Sequence, residues 1–284
     1  MESKEQQPLL VSLGSASNED LAIVGGKAAS LIKLHRSGFN VPAACVLTTH
    51  VFDKLIASAA LACGATTTNS REAATDLLKQ FSLPQCVTDS VAVFVEELGK
   101  PLFAVRSSAV AEDTVNASFA GLLQTFLDIA AEDLEFYIKL CFASYFSESL
   151  AVYRSRVGGA DTPGMAVIIQ EMIKPDYAGV MFTVDPLAQD SLAVEVVQGC
   201  GDKLVSGSVT PAGFRIARQT CDVQASYGSI QVSPDALREL AAVGLRIEHL
   251  YGGMPQDIEF AIFDEEIHIL QSRPITFFSH EKLN

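Results

Sequence analysis

Residues 256–275 read QDIEFAIFDEEIHILQSRPI, two apolar alternating runs on either side of a charged break. Ile258 to Phe263 and Ile267 to Ser272 are expected strands joined by the turn Asp264-Glu265-Glu266. With a three-residue turn, Phe263 pairs with Ile267 and Glu259 falls opposite Gln271, their Cβ atoms about 5 Å apart on one face. Period two places Arg273 on that face and His268 on the other, where the histidine reads as structural. A carboxylate beside an amide oxygen is a hard donor pair suited to Mg²⁺, and a nearby guanidinium suits a phosphate oxygen. The competing reading is a solvated hairpin face with an incidental Glu and Arg.

Working outward, the chain from Met165 onward stays β-like: MAVIIQEMI, AGVMFTVDP and LAVEVVQG are β-branched, apolar and punctuated by Gly and Pro. The first half is mixed. Helical periodicity covers Gly26 to Arg36, Thr49 to Ala62, Arg71 to Gln80 and Thr88 to Leu98, and LFAVRSS after Pro101 reads as a buried strand. The clearest helix is expected from Glu132 to about Arg156, where Leu134, Tyr137, Ile138, Cys141, Phe142 and Tyr145 share one stripe. No internal repeat is visible. These shifts divide the chain into an N-terminal lobe over 1–160, a sheet-rich C-terminal lobe over 161–279 and a tail over 280–284, with a ligand cleft expected between the lobes.

Near the start, LAIVGGKAASL (Leu21 to Leu31) places two glycines and a lysine where a helix begins. It is no P-loop, because a glycine is missing at Leu21 and the metal-binding hydroxyl at Ala28. Gly25 and Gly26 would still let the backbone approach an anion, and Lys27 would add charge at a helix N-terminus. An ordinary amphipathic helix capped by Gly38, with Lys27 and Lys33 in solvent, explains the stretch as well. Arg106, immediately after the apolar run of LFAVRSS and ahead of a flexible loop, could fork onto phosphate or pair with Glu112 or Asp113. The polar loop from Ala109 to Ala120 that follows reads as a mobile lid or as a long surface connection.

Composition narrows the function classes. The chain has 284 residues, 49% of them apolar, enough for a substantial core. A net charge of −14 argues against a nucleic-acid or anionic-membrane surface, so an anionic ligand requires a local basic pocket. The start MESKEQQPLL lacks a secretion signal, and the uncharged stretch Leu55 to Ser70 turns polar too early to span a bilayer. Six scattered cysteines without a C-x-x-C pair fit reduced core thiols. The chain reads as soluble and cytoplasmic.

Taken in order, Gly-Gly-Lys, FAVRSSAVAEDTVNASFAGLLQTFLDI, AVIIQEMI with AGVMFTVDP, GCGDKLVSGSVTP and DIEFAIFDEEIHILQSRPIT resemble one known family over residues 10 to 277. It is the ATP-binding N-terminal domain of phosphoenolpyruvate synthase, pyruvate phosphate dikinase and rifampin phosphotransferase. The resemblance implies an α+β, two-lobed ATP-grasp fold, with the nucleotide in the cleft between a mixed α/β N-terminal lobe and a sheet-rich C-terminal lobe. It implies that Lys27 and Arg106 hold ATP phosphates, and that Gly121 and Thr125 lie in a flap over the nucleotide. Gln170, Glu171 and Ile173 would line the adenine pocket. Glu259 and Gln271 would ligate Mg²⁺, and Arg273 would contact phosphate. A Lys, two Arg and Mg²⁺ are the parts phosphoryl transfer needs.

Two departures touch the flap rather than the main ligands: Gly121-Leu122-Leu123 stands where relatives read GQQ, and Gly199-Cys200-Gly201-Asp202 where they read GLGE. Relatives also carry a swivelling domain with a phosphoryl-accepting histidine, and none of His35, His50, His249, His268 or His280 has its Gly-rich, Thr-containing context. The expectation is therefore a phosphotransferase module that cleaves ATP and passes a phosphoryl or pyrophosphoryl group to a histidine carrier in trans. A stand-alone ATP-grasp kinase or ligase acting directly on a small molecule and a non-catalytic ATP sensor are the alternatives.

Overall fold

The computed structural model describes residues 8–63, 76, 82–110, 124–147, 164–201 and 209–275. They form two compact units, the first comprising 1–32 and 43–172, the second 33–42 and 173–284. Helices and two antiparallel sheets make the architecture α+β, as expected. Gly121, the expected lid loop beyond Val110, the expected helix over Arg71 to Gln80 apart from residue 76, and the expected lobe boundary at 160 lie outside the described residues, whereas Ala109, the first residue of that loop, ends β3 (Leu102–Ala109).

In the first unit, β1 (Leu10–Ser12), β2 (Ala44–Leu47), β3 (Leu102–Ala109), β4 (Thr125–Ala130) and β5 (Met165–Glu171) form a sheet in the order β1-β2-β5-β3-β4. Met165–Glu171 pairs with β2 and β3 and so belongs to this sheet, although its sequence resembles the later strands. Alternation gives each strand two faces. Cys45, Leu47, Phe103, Val105, Val167 and Ile169 point into an apolar core. That core is shared with α2 (Thr49–Cys63), α3 (Gln85–Leu98) and α4 (Leu134–Ser144). The helix expected over 132–156 is shorter at both described ends: α4 begins at Leu134 after a 3₁₀ turn over Ala131–Asp133 and stops at Ser144, where a turn through Tyr145 follows, and Leu134, Ile138, Cys141 and Phe142 are its buried stripe. Phe52 packs on Phe142 and Tyr145 with ring centroids 5.5 and 5.1 Å apart.

The opposite face of the same sheet carries Ala44, Val46, Ala104, Arg106, Ser108, Ile168 and Gln170. There the N-terminus of α1 (Gly25–Arg36) docks: the Ala28 amide donates to Ser108 Oγ at 3.1 Å. Gly25 has φ +77°, and a Cβ on it would lie 2.3 Å from the Ser108 carbonyl oxygen. Only glycine meets both conditions. At the far end Gly38 (φ +78°) stops the helix, with Phe39 N–H donating back to the Leu34 carbonyl.

In the second unit, β6 (Tyr177–Phe182), β7 (Ser191–Gln198), β8 (Ala212–Ala217), β9 (Val223–Tyr227), β10 (Gln256–Phe263) and β11 (Glu266–Pro274) form a sheet in the order β11-β10-β6-β7-β8-β9. A helix that the sequence reading did not single out, α5 (Pro234–Leu250), starts with Ser233 Oγ capping Ala236 N–H and Pro234 in the first turn. Its small residue Gly244 sits on Met181, where a Cβ would come within 2.4 Å of Cε. Met181 and Thr183 therefore mark the helix-covered face of the sheet, and Val180 and Phe182 the other face. No described helix is long and apolar enough to cross a membrane.

Candidate functional site

Each unit carries a polar set at its sheet. In the first, α1 and β3 bring two cations together. Lys27, 7% exposed, donates from Nζ to the Ser107 carbonyl at 3.3 Å, so its charge ends one residue from Arg106. Arg106, 6% exposed, pairs in register with Thr125 on β4 and Ile168 on β5. Its Nη1 donates to Gln170 Oε1 at 3.4 Å. Buried cations are costly unless partnered or paired with an incoming anion, and two beside the middle of β3 concentrate positive potential in a chain of net charge −14. The Lys27 side chain is therefore not the solvated residue of the amphipathic-helix reading. Lys33 is: it is exposed and lies over the Tyr251 ring, 4.0 Å from its centroid.

Gln170 and Glu171, adjacent on β5, point to opposite faces. Gln170 faces Arg106, whereas the Glu171 carboxylate is held by Lys100 Nζ at 2.6 Å, and its N–H donates to the Ala43 carbonyl at 2.8 Å. Ile173, half-buried, begins the second unit just past that strand. Thr125 is exposed at the start of β4. The alternative partners of Arg106, Glu112 and Asp113, lie outside the described residues.

In the second unit Glu259 is the cross-strand partner of Gln271, and Asp257 of Arg273. The route to that pairing differs from expectation. The turn has two residues, Asp264 and Glu265, both left-handed at φ 50° and 65°, and Phe263 pairs with Glu266 rather than Ile267. A β-bulge between Glu259 and Phe260 then restores the count: Phe260 faces Ile269, Glu259 faces Gln271, and Leu270 is the extra residue. The bulge also returns His268 to the face of Gln271, opposite Ala261, which corrects its expected placement on the reverse side. Both ring nitrogens of His268 are buried.

Sequence reasoning missed Asp257, although period two from Glu259 points to it. Arg273 donates from Nε and Nη2 to Asp257 Oδ2 at 2.9 and 2.7 Å, which fixes the plane of the guanidinium. Burial pushes the Asp257 carboxyl above its ordinary value against the pull of the Arg273 charge, and Glu259 adds to the rise. Continuing across the sheet, Glu259 registers with Val180, Glu195, Gly213 and Tyr227 in turn. The Tyr227 ring lies over Gly213, and its hydroxyl donates to Glu195 Oε1 at 3.3 Å.

The donor set of this face fits a hard divalent cation bound together with phosphate. Mg²⁺ keeps several waters and takes one or two carboxylates plus phosphate oxygens rather than a full protein cage. Glu259 and Gln271 supply a carboxylate and an amide oxygen side by side, and Arg273 supplies a pre-oriented fork for an oxyanion. Among the described residues no cluster of three or more His, Cys, Asp or Glu marks an alternative metal centre.

One sheet of this α+β chain presents a buried Lys and Arg, suited to anionic oxygens, and the other presents a carboxylate, an amide and an anchored Arg, suited to a hard cation and an oxyanion. Comparison with known proteins places it further: residues 21–233 and 223–284 match the pyruvate phosphate dikinase AMP/ATP-binding domain, and the chain belongs to that family. It is 31% identical to a probable phosphoenolpyruvate synthase of Methanocaldococcus jannaschii, over 93% of this chain and 26% of the relative. A rifampicin phosphotransferase of Streptomyces sp. is 34% identical over 94% of this chain and 36% of the relative. A probable phosphoenolpyruvate synthase of Methanothermobacter thermautotrophicus is 33% identical over 91% and 44%. The chain thus spans between about a quarter and under half of these relatives. Among solved structures it is similar to D-alanyl-alanine synthetase A of Vibrio cholerae, with a TM-score of 0.42 and 10% identity over 88% of this chain and 55% of that one.

Proposed function

We propose that this chain is the ATP-grasp nucleotide module of an ATP- and Mg²⁺-dependent phosphotransferase. It would cleave ATP and deliver a phosphoryl or pyrophosphoryl group to a histidine on a separate carrier protein or domain. The observation that carries this reading is the shared face of β10 and β11, where Glu259 stands opposite Gln271 and Arg273 is forked onto Asp257. Membership of the dikinase AMP/ATP-binding family and relatives named as phosphoenolpyruvate synthase and rifampicin phosphotransferase support it.

In this reading Glu259 and Gln271 hold Mg²⁺, which would neutralise phosphate charge and polarise the phosphoryl oxygens. Lys27 and Arg106 bind phosphate oxygens, and Arg273, oriented by Asp257, binds the group being transferred. Gln170, Glu171 and Ile173 flank the base, although the Glu171 carboxylate is engaged by Lys100 and its N–H by the Ala43 carbonyl. Thr125 borders the nucleotide. The residues do little covalent chemistry; they position the nucleotide and match developing charge.

The test is incubation of the purified chain with Mg²⁺ and ATP labelled on the β- or γ-phosphate, with and without the histidine-bearing domain of a phosphoenolpyruvate synthase. The expected result is AMP as the nucleotide product, with either both labels on the carrier histidine, as pyrophosphoryl transfer gives, or the β label on the histidine and the γ label released as inorganic phosphate. Turnover to ADP with a small-molecule acceptor and no carrier would instead identify a stand-alone kinase or ligase. Tight ATP binding with no transfer would identify a sensor.

A further inference from the structure

The metal-facing side of the β10–β11 hairpin depends on one extra residue, Leu270, and the reverse side of the sheet shows what holds it in place. Without the bulge, the ladder set by Phe263↔Glu266 and Phe260↔Ile269 would continue to Glu259↔Leu270 and Ile258↔Gln271. Gln271 would then face α5 and its buried neighbours instead of Glu259, because a one-residue slip exchanges the faces.

Directly behind the site, five polar side chains form one connected set. Arg218, after β8, donates from Nη2 to Glu248 Oε1 at 2.6 Å and from Nη1 to Glu248 Oε2 at 3.1 Å and to the Thr183 carbonyl. Thr183 Oγ1 donates to Glu248 Oε2 at 2.5 Å and accepts from the Gln256 N–H at 2.9 Å. Ser272 Oγ donates to Gln256 Oε1 at 2.9 Å, and Gln256 Nε2 donates to the Met254 carbonyl at 2.9 Å. Thr183 and Gln256 are fully buried, and Ser272 is 1% exposed.

Gln256 precedes Asp257, and Ser272 stands between Gln271 and Arg273, so the bond between them clamps the two strands behind the four site residues. In the slipped register Asp257 would take the place opposite Ser272, and Arg273 would be driven into the buried position opposite Gln256. That burial of charge is unfavourable, so a weakened clamp frays the hairpin rather than inverting it.

We infer that the Arg218–Glu248–Thr183–Gln256–Ser272 network is the register lock of the hairpin, and that Thr183 and Ser272 are positioning residues keeping Gln271 beside Glu259. The inference rests on the proposal that those two side chains hold Mg²⁺. A buried polar network specifies one arrangement because every alternative strands a polar group, and removal of such outer-shell partners typically costs about 10- to 100-fold in metal affinity.

The test compares wild type with Thr183→Val, Ser272→Ala and the hydroxyl-retaining Thr183→Ser. Two quantities are read: amide exchange over 256–274 in protein free of metal and nucleotide, and the Mg²⁺ concentration that half-saturates the metal-dependent binding of a non-hydrolysable ATP analogue. In Thr183→Val and Ser272→Ala, exchange is expected to accelerate within 256–274 and the Mg²⁺ requirement to rise about 10-fold. Binding of the analogue in EDTA stays unchanged, and Thr183→Ser behaves as wild type. Unchanged exchange and Mg²⁺ requirement, or acceleration spread equally through β7 and β8, overturns the lock. Binding by wild type that ignores Mg²⁺ overturns the metal reading, while exchange confined to the hairpin still supports the lock.

Discussion

Gly25 is seated on Ser108: a Cβ on the glycine would approach the serine carbonyl oxygen to 2.3 Å, while Ser108 Oγ accepts the N–H of Ala28 three residues further on. This contact sets where α1 begins and so where Lys27 reaches β3. Gly25→Ala meets a backbone clash as well as a left-handed φ of +77°, and is expected to destabilise the chain by about 2–4 kcal/mol. Gly38 has nearly the same φ, +78°, but nothing within 4 Å of its virtual Cβ, so Gly38→Ala should cost only about 1 kcal/mol. Denaturant unfolding of the two variants checks the difference. Equal losses would mean that the Ser108 contact yields easily.

Lys27 and Lys33 lie on the same helix, one buried against the Ser107 carbonyl and the other exposed over Tyr251. If Lys27 holds phosphate, Lys27→Ala lowers kcat/KM for ATP by about 100-fold or more, the scale of losing a charged contact to the transferring group. Lys33→Ala gives up an exposed cation–π contact worth about 0.5–1 kcal/mol and leaves ATP use within about two-fold of wild type. Steady-state kinetics on both variants decides it. Comparable losses at the two positions would remove Lys27 from the site.

Much of this arrangement was legible in the sequence, and the exceptions have physical causes. Period two and a plausible turn sufficed to put Glu259 beside Gln271. The actual turn escaped notice because Asp264 and Glu265 adopt left-handed conformations without the Asn or Gly that normally advertise them. The Leu270 bulge has no sequence mark, and it hid the return of His268 to the side of Glu259 and Gln271. Asp257 was hidden for another reason: an acid at a strand start looks solvated until its cross-strand arginine is known. The lock behind the hairpin joins Thr183 to residues 65 and 73 positions away, separations over which local periodicity carries no information.

The thiols make a separate prediction about the first unit. Cys45 and Cys141 are fully buried, and burial pushes both thiols far above their ordinary range, with the Lys27 charge only partly opposing it at Cys141. Neither reaches the reactive thiolate at pH 8. In native protein both should resist an aromatic disulfide reagent at that pH, while exposed Cys86 reacts promptly. Peptide mapping after brief labelling checks this. Rapid modification of Cys141 would mean that the Lys27 region opens readily in solution.

Glu259 and Gln271 differ in charge but are expected to act through the same kind of atom, a hard oxygen. Substitutions can separate that role from packing, since Glu259 is half-buried and Gln271 is 4% exposed. Glu259→Ala removes a carboxylate donor and Gln271→Leu removes the amide oxygen while preserving bulk. Each should reduce the Mg²⁺-dependent part of ATP-analogue binding at least ~10-fold and abolish Mg²⁺-dependent turnover, with far-ultraviolet circular dichroism unchanged. Gln271→Glu keeps an oxygen donor and adds charge, so it should retain Mg²⁺ binding and shift the balance toward tighter metal. Titration calorimetry with and without Mg²⁺ reads all three. If Gln271→Leu binds Mg²⁺ and nucleotide like wild type, the amide is packing only and the metal rests on the carboxylates of this face.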